Sequence, residues 1–198
     1  MPSSKELFKL DLKDKLILIR VDLNLPMENG VIQDITRLKR VLPIIKEIRK
    51  RLGKVVLCSH FGRPNGKFDK KYSLMPIVQP LSKQLNIPIL FSPDCIGSTA
   101  DNLKKNLKQG QVLLLENLRF HIGEEINDNN FSKYLSNKID YFVNDAFSCS
   151  HREHSSIVGI TKYLPSFMGT HLEKEISALE SVLNDPKRPV GAIIGGSK

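Results

Sequence analysis

The sequence has no tryptophan, only three cysteines, and no apolar run near the length of a membrane-spanning helix. Cys58, Cys95 and Cys149 are odd in number, widely spaced and without a C-x-x-C pair, which argues against a disulfide framework and a structural zinc site. A transmembrane helix needs about 20 apolar residues, and the N-terminal stretch MPSSKELFKL has no signal-peptide core. These absences predict a cytoplasmic protein with reduced thiols and no membrane segment.

Acidic residues are also scarce, since 21 Asp and Glu face 30 Lys and Arg and leave a net charge of +9. The partners of such a protein are expected to be anions: nucleic acid, an acidic membrane or a phosphorylated small molecule. Hydrophobic residues make up 40% of the 198 residues, enough to bury a core. The length predicts one α/β-sized domain with something appended.

Short apolar runs alternate with helical stretches along the chain, a pattern that predicts a parallel sheet with helices on both faces. The fold class expected is therefore α/β, a Rossmann-like three-layer sandwich of about six strands. The predicted strands are 15–21, 54–59, 87–91, 111–116, 139–145 and 190–194, and the predicted helices are 36–53, 73–85, 99–108, 128–138 and 170–185. Pro43 is expected to kink or bound the first long helix.

The last predicted helix has the clearest start and stop signals. Thr170 and Glu173 have the spacing of a capping box, and Pro186 follows its end. The strand at 190–194 has no later helix to cover it, so we interpret it as the opening of a second domain.

Polar motifs follow the ends of four predicted strands. DLN (22–24) follows the first, HFGR (60–63) the second, ENLRF (116–120) the fourth and NDAFSCSHREH (144–154) the fifth. The carboxyl ends of parallel strands meet at one edge of a sheet, where ligands bind. Guanidinium forks with His and Asn at this edge suit a small ligand that carries phosphate and carboxylate. The residues expected to converge are Asp22, Asn24, Arg37, His60, Arg63, Arg119, His151 and Arg152.

Other site types find weaker support. Cys149, His151 and His154 could bind zinc, but no second ligand pair occurs at a suitable spacing. Neither G-x-G-x-x-G nor a complete G-x-x-x-x-G-K-[ST] motif is present. A basic nucleic-acid-binding module remains the alternative, although tryptophan and basic aromatic-rich strands are missing.

The motifs RVDLNLP, SHFGRP, ENLRF, NDAFSCSHREHSSIVG and GGSK, in this order, resemble those of the phosphoglycerate kinase family. The resemblance covers the whole chain. It implies reversible phosphoryl transfer between 1,3-bisphosphoglycerate and ADP in glycolysis, by an enzyme of two α/β domains. It also implies 3-phosphoglycerate and ADP or ATP as ligands, Mg-ATP or Mg-ADP as cofactor, and a monomer without nucleic-acid or membrane partners.

The same resemblance divides the chain into a substrate domain at 1–169, an interdomain helix at 170–185 and the first strand and loop of a nucleotide domain at 186–198. The rest of the nucleotide domain is missing from the sequence, so we expect no phosphoryl transfer by this chain alone and no protein-bound metal in this segment. One lysine after a glycine turn does not make a nucleotide pocket.

Site roles also follow from the resemblance. Arg37 and Lys198 are the expected catalytic residues, with Lys198 on the transferring phosphate of the nucleotide. The expected substrate-binding residues are Asp22, Asn24, Arg37, His60, Phe61, Gly62, Arg63, Arg119 and Arg152, with His151 as support for Arg152. The sequence departs from the family at Ser148, Cys149 and Ser150, which add side-chain volume to a loop near the site.

Overall fold

The computed structural model describes residues 1–28, 31–184, 186, 188–191, 193 and 195, and shows the predicted α/β fold. Six strands form one parallel sheet: β1 Leu16–Arg20, β4 Lys54–Cys58, β5 Ile89–Ser92, β6 Val112–Leu115, β7 Tyr141–Asn144 and β8 Ser166–Met168. Their order across the sheet is β5-β6-β4-β1-β7, with β8 at the edge beside β7. None of the described helices has the length and apolar character needed to span a membrane.

Both faces of the sheet are buried, because successive residues of a strand point to opposite faces. Ile17 and Ile19 of β1 pack into one hydrophobic cluster, and Leu16 and Leu18 pack into the other. The helices that cover the two faces have the bounds α1 Ser4–Leu7, α2 Thr36–Lys50, α3 Val78–Leu85, α4 Gly97–Asn106, α5 Ile122–Glu125, α6 Asn129–Leu135 and α7 Thr170–Asn184. Apolar side chains of α2 and α3 join the first cluster, and those of α6 join the second.

The structure differs from the sequence-based expectation in several elements, including the short helices α1 and α5, which were not predicted. Strand β8, at Ser166–Met168, was not predicted, because three residues after a proline are too short to show a period. The hairpin of β2, Met27–Glu28, and β3, Val31–Ile32, was also not predicted. Helix α2 runs through Pro43, so the proline does not bound it. The strand predicted at 190–194 includes residues 192 and 194, which lie outside the described residues, so it stays untested.

The start of α7 is stabilised by a residue that the predicted capping box does not include. Oδ1 of Asp145, just after β7, accepts hydrogen bonds from the backbone N–H groups of His171 (2.7 Å) and Leu172 (3.0 Å). The carboxylate of Glu173 instead accepts from the backbone and hydroxyl of Ser4. The capping-box prediction was therefore wrong, because a remote carboxylate satisfies the free amides of the first turn.

Asp145 is almost fully buried, and its Oδ2 has no hydrogen-bond partner within the described part of the chain. Burial raises the pKa of this carboxyl to about 6, although the two amides of α7 oppose the shift. The side chain thus joins the loop after β7 to the start of α7.

We expect Asp145→Ala to lower the free energy of unfolding by about 1–2 kcal/mol, the usual cost of a lost helix cap. Asp145→Asn keeps an acceptor for the two amides and should retain most of the stability. Urea denaturation at pH 7 measures both variants. Equal midpoints for wild type and Asp145→Ala would show that the contact contributes nothing.

Candidate functional site: an arginine cluster at the carboxyl edge of the sheet

The polar motifs follow β1, β4, β6 and β7, four strands that are neighbours in the sheet. All four strands run parallel, so the segments that leave them meet at the same edge. Direct hydrogen bonds join Asp22 to Arg37, Asn24 to Gly62 and Gly62 to Arg119, so these predicted residues do converge.

Asp22 is the centre of one group of contacts at this edge. Nη1 of Arg37, on the second residue of α2, donates to Oδ2 of Asp22 at 3.1 Å and to the carbonyl of Asn24 at 3.0 Å. The hydroxyl of Ser148 donates to the same carboxylate oxygen at 2.7 Å. Ser148, one of the departures from the family, therefore helps to hold the carboxylate that orients Arg37.

A second group of contacts joins the loops after β1, β4 and β6. Oδ1 of Asn24 accepts from the backbone N–H of Gly62 at 3.0 Å. Nη1 of Arg119 donates to the carbonyl of the same glycine at 2.8 Å. Gly62 has φ +59°, and an added Cβ would lie 2.4 Å from the ring of Tyr72. The positive φ and the nearby ring of Tyr72 both favour glycine at position 62, where the backbone bonds to Asn24 and Arg119.

Asn117 clamps these loops, and it was not among the predicted site residues. Its Oδ1 accepts from the backbone N–H groups of Phe61 and Arg119, both at 3.1 Å. Its Nδ2 donates to the carbonyls of Phe61 (2.7 Å) and Tyr72 (2.9 Å). The side chain is fully buried and makes all four hydrogen bonds that an amide offers. It therefore fixes Arg119 relative to the loop that carries His60 and Phe61.

His60 is buried beside Arg20, a second residue that the sequence analysis missed. Nη2 of Arg20 lies 3.0 Å from Nδ1 of His60, and its Nε donates to the hydroxyl of Ser156 at 3.0 Å. Burial lowers the pKa of His60 to about 2, and the charges of Arg20, Arg119 and Arg152 add to the shift. The sequence signal was a lone arginine at the end of the apolar run LILIR.

Glu124 is a buried acidic residue that bonds to the same serine as Arg20. Its carboxylate accepts from the hydroxyl of Ser156 at 2.6 Å and from the backbone N–H of Ser156 at 3.0 Å. Nδ1 of His154 lies 3.8 Å away. Burial raises the pKa of Glu124, whereas Arg20 and then the bonds from Ser156 lower it. Burial also lowers the pKa of His154 to about 4, with Arg119 and Arg152 contributing.

The remaining predicted residues differ in how deeply their side chains are buried. Phe61 is buried edge-on against Tyr72, with 6.4 Å between ring centroids. Arg152 is half-buried and close enough to depress the pKa of His60. Arg63 and His151 are exposed, and neither side chain makes a hydrogen bond or ion pair to another described residue. The expected support of Arg152 by His151 is therefore not observed, and Lys198 lies outside the described residues.

The structure also tests which residues are close enough to share a metal. Across the described ranges, the only His, Cys, Asp or Glu trio with converging ligand atoms is Asp94, Cys95 and His121. The zinc alternative with Cys149, His151 and His154 is not formed. Instead, Sγ of Cys149 lies 3.8 Å from Nδ1 of His60.

The chemistry of the cluster suits anion binding better than nucleophilic catalysis. A guanidinium has no acceptor, so Arg20 must donate to Nδ1 of His60, and that nitrogen carries no proton. A neutral imidazole whose pKa is about 2 and whose Nδ1 accepts from Arg20 is a poor base for the neighbouring thiol of Cys149. What the edge offers a ligand is positive charge, from Arg37, Arg119 and Arg152, with neutral donors between them.

Comparison with known proteins gives one consistent match. A family model described as phosphoglycerate kinase matches residues 7–198. The phosphoglycerate kinase of Bartonella quintana (strain Toulouse) is 49% identical over 189 residues, which cover 96% of this chain and 48% of that protein. That of Bradyrhizobium diazoefficiens is 50% identical over 189 residues, covering 96% of this chain and 47% of that protein.

Solved structures agree with the sequence match. The phosphoglycerate kinase from Coxiella burnetii superposes with a TM-score of 0.81 at 37% identity, covering 92% of this chain and 46% of that one. That from Pyrococcus horikoshii OT3 superposes with a TM-score of 0.86 at 36% identity, covering 96% of this chain and 47% of that one. The chain thus spans about half the length of the curated relatives it matches.

The burial of His60 predicts an acid-sensitive fold. The folded state disfavours protonated His60, so its contribution to stability is complete above pH 6.5 and is lost as the pH falls from 6.5 towards 2. The free energy of unfolding should fall by about 1.4 kcal/mol per pH unit from this group. Urea denaturation between pH 7 and 4.5 measures the slope.

His60→Gln should make that slope shallower by about 1.4 kcal/mol per pH unit, the contribution of one proton. In NMR spectra, the His60 imidazole should not titrate between pH 8 and 4.5. A His60 titration with a midpoint near 6.5 would contradict the buried, neutral state.

Proposed function

Because the chain belongs to the phosphoglycerate kinase family, as its motifs suggested, we propose that it supplies the phosphoglycerate-binding half of that enzyme. The observation that supports this most directly is the convergence of arginines from separate segments at one edge of the sheet. Arg119 follows β6, Arg152 follows β7 and Arg37 opens α2. Several guanidinium groups around one cleft suit a compact ligand that carries phosphate and carboxylate at its two ends.

We propose that Arg63, Arg119, Arg152 and His60 hold the phosphate of 3-phosphoglycerate. The buried Arg119 is fixed by Gly62 and by the ion pair of its Nε with Glu125 at 3.3 Å. The side chains of Arg152 and Arg63 make no hydrogen bond or ion pair to another described residue, which leaves their N–H groups available to an anion. His60 remains neutral and can contribute a hydrogen bond without changing the charge of the site.

We propose that Asp22, Asn24 and Arg37 bind the other end of the substrate. The carboxylate of Asp22 and the backbone carbonyl of Asn24 accept hydrogen bonds from Arg37, which hold its guanidinium beside the loop that follows β1. In this arrangement Arg37 holds the reacting carboxylate, and the carboxylate oxygen of the substrate is itself the nucleophile. No serine, cysteine or general base of the protein is then needed, which agrees with a His60 that cannot act as a base.

In the complete enzyme, catalysis of this kind rests on positioning and on neutralisation of charge at the moving phosphoryl group. Members of this family use a Mg-nucleotide as the second ligand, and the nucleotide supplies the phosphoryl group or accepts it. Lys198 is proposed to contact it. This chain's described residues contribute the acceptor side, where they bind and orient the carboxylate.

We further propose that residues 1–169 form the substrate domain, that 170–185 form the interdomain helix and that 186–198 open the nucleotide domain. The exposed apolar residues of α7 support this division. Leu179, Val182 and Leu183 are 48%, 55% and 77% exposed, as a surface that meets another domain would be. The comparisons give no support to the nucleic-acid alternative.

We expect the 198-residue chain to bind 3-phosphoglycerate and Arg152→Ala to weaken that binding about 10- to 150-fold. The reason is the loss of a hydrogen bond between charged groups, worth about 1.5–3 kcal/mol. Isothermal titration calorimetry measures the affinity. Arg51→Ala is the matched control, since Arg51 lies at the carboxyl end of α2 and pairs with Glu47 and Phe8. Equal affinity of wild type and Arg152→Ala would refute the assigned role, as would tighter binding to random DNA than to 3-phosphoglycerate.

We also expect no phosphoryl transfer by the 198-residue chain on its own. Without a bound nucleotide held in line with the substrate, about 7–11 kcal/mol of advantage from proximity is forfeited. The assay follows ADP-dependent consumption of 1,3-bisphosphoglycerate by the chain, alone and mixed with the C-terminal half of the Bartonella quintana relative. Activity only in the mixture would support the division of labour, and turnover by the chain alone would rule it out.

A further inference from the structure

Asp94, Cys95 and His121 form a compact group of possible metal ligands outside the arginine cluster. Asp94 and Cys95 follow the edge strand β5, and His121 follows the short turn Leu118–Phe120 after β6. Their ligand atoms all lie within 4.8 Å of one another, and Nε2 of His121 is 2.6 Å from Oδ1 of Asp94. The hydrogen bonds and ion pairs of these three side chains involve none of the proposed substrate-binding residues.

We propose that these three side chains bind a thiophilic divalent cation, for which Zn²⁺ is the best match. One thiolate, one imidazole and one carboxylate are all zinc ligands, with bond lengths of about 2.0–2.3 Å. A thiolate in the set disfavours Mg²⁺ and Ca²⁺, which prefer oxygen. Three protein ligands would leave one tetrahedral position for water. This departs from the sequence-based expectation that the segment binds no metal.

The geometry needs only small movements to accept the ion. In a tetrahedral site the carboxylate oxygen and the imidazole nitrogen would separate from 2.6 Å to about 3.3 Å as the ion replaces their hydrogen bond. The other two ligand pairs, now within 4.8 Å, would need separations of about 3.5 Å, which requires each pair to close by at most about 1.3 Å. The ion can enter from solvent, because Asp94 and His121 have side-chain exposures of 46% and 28%.

Neighbouring groups already orient the ligands. Oδ1 of Asp94 accepts from the backbone N–H of Cys95 at 2.6 Å, which turns the carboxylate over the cysteine. The ring of His121 packs against Phe131 with 5.1 Å between centroids. Such outer contacts are what holds metal ligands in position.

Cys95 is a neutral thiol in the absence of an ion. It is fully buried, donates to the carbonyl of Glu116 and has its pKa raised by burial. Binding would exchange the S–H bond for a sulfur–metal bond, and the proton would leave to solvent. The positive charge of the ion offsets the cost of a buried thiolate, so the burial that makes Cys95 unreactive as a free thiol is compatible with metal ligation.

Occupancy would tie the turn after β5 to the loop that carries Arg119. His121 lies two residues after Arg119 and five after Glu116, whose carbonyl accepts from Cys95. A cation that binds only the folded chain also raises its unfolding temperature. The site would thus act as a cross-link beside the arginine cluster, and this proposal does not depend on the substrate proposed above.

The test titrates the reduced 198-residue chain with Co²⁺, a coloured substitute for Zn²⁺, and then displaces it with Zn²⁺. We expect the near-ultraviolet band of a cobalt–thiolate bond, the visible bands of tetrahedral cobalt, and a one-to-one stoichiometry. Zn²⁺ should also raise the unfolding temperature. A wild-type chain that shows no thiolate band would overturn the proposal, whatever the variants do.

Variants locate the ion. Cys95→Ser should abolish the thiolate band, and His121→Asn should weaken Zn²⁺ binding at least tenfold. His121 is partly exposed, so we expect His121→Asn to fold, and circular dichroism checks that it does. Cys149→Ser is the matched control and should retain the band. Loss of the band in Cys149→Ser with retention in Cys95→Ser would refute the site.

Discussion

Arg20, Arg119 and Arg152 lie near the buried imidazole of His60 at the carboxyl edge of the sheet. The surrounding loops supply hydrogen-bond acceptors for these positive charges. Arg20 is 1% exposed, so its charge has lost almost all of its water. A buried charge is tolerated only when hydrogen bonds and opposite charge replace that water. Ser156, His60 and the carbonyl of Val21 supply the bonds, and the same Ser156 hydroxyl donates to the buried carboxyl of Glu124.

The same requirement explains why His60 is neutral. A protonated imidazole in this position would add a further positive charge to a dehydrated group that already holds Arg20, Arg119 and Arg152. Positive charge can be concentrated for an anion at a lower energetic cost when His60 itself stays uncharged. His60 is neutral and its Nδ1 accepts a hydrogen bond from Arg20. The same arrangement prevents His60 from acting as a general base.

The sequence predicted the strands and helices well because burial on both faces leaves continuous apolar runs and helical periods. It failed where a contact joins residues far apart in the chain. The cap of α7 comes from Asp145, 26 residues before His171, so the nearby Thr170 and Glu173 were a misleading signal. Strand β8 has three residues, too few for a period, and is recognised only by its pairing with β7.

The arginine cluster was partly predictable, because a parallel sheet brings the residues that follow its strands to one edge. Residues that directly follow strands could be placed from topology alone, and Asp22, Asn24, Gly62 and Arg119 are joined by direct contacts. Arg20 and Asn117 could not be identified in this way. Arg20 lies inside strand β1, and Asn117 resembles an ordinary turn residue in the sequence. Their roles depend on partners 136 and 56 residues away, Ser156 and Phe61.

The segment 116–121 shows how one short stretch can serve several loops. Glu116 accepts from the hydroxyl of Ser73 and the backbone of Leu74, and Asn117 holds Phe61 and Tyr72. Arg119 then turns towards Gly62, whereas His121 turns towards Asp94. Together these residues bind segments 61–62 and 72–74 and Asp94, so the stretch cannot shift without breaking bonds to another loop. The arginine that is proposed to bind phosphate is therefore held by its neighbours in sequence as much as by its own contacts, and an ion at His121 would act on the same rigid segment.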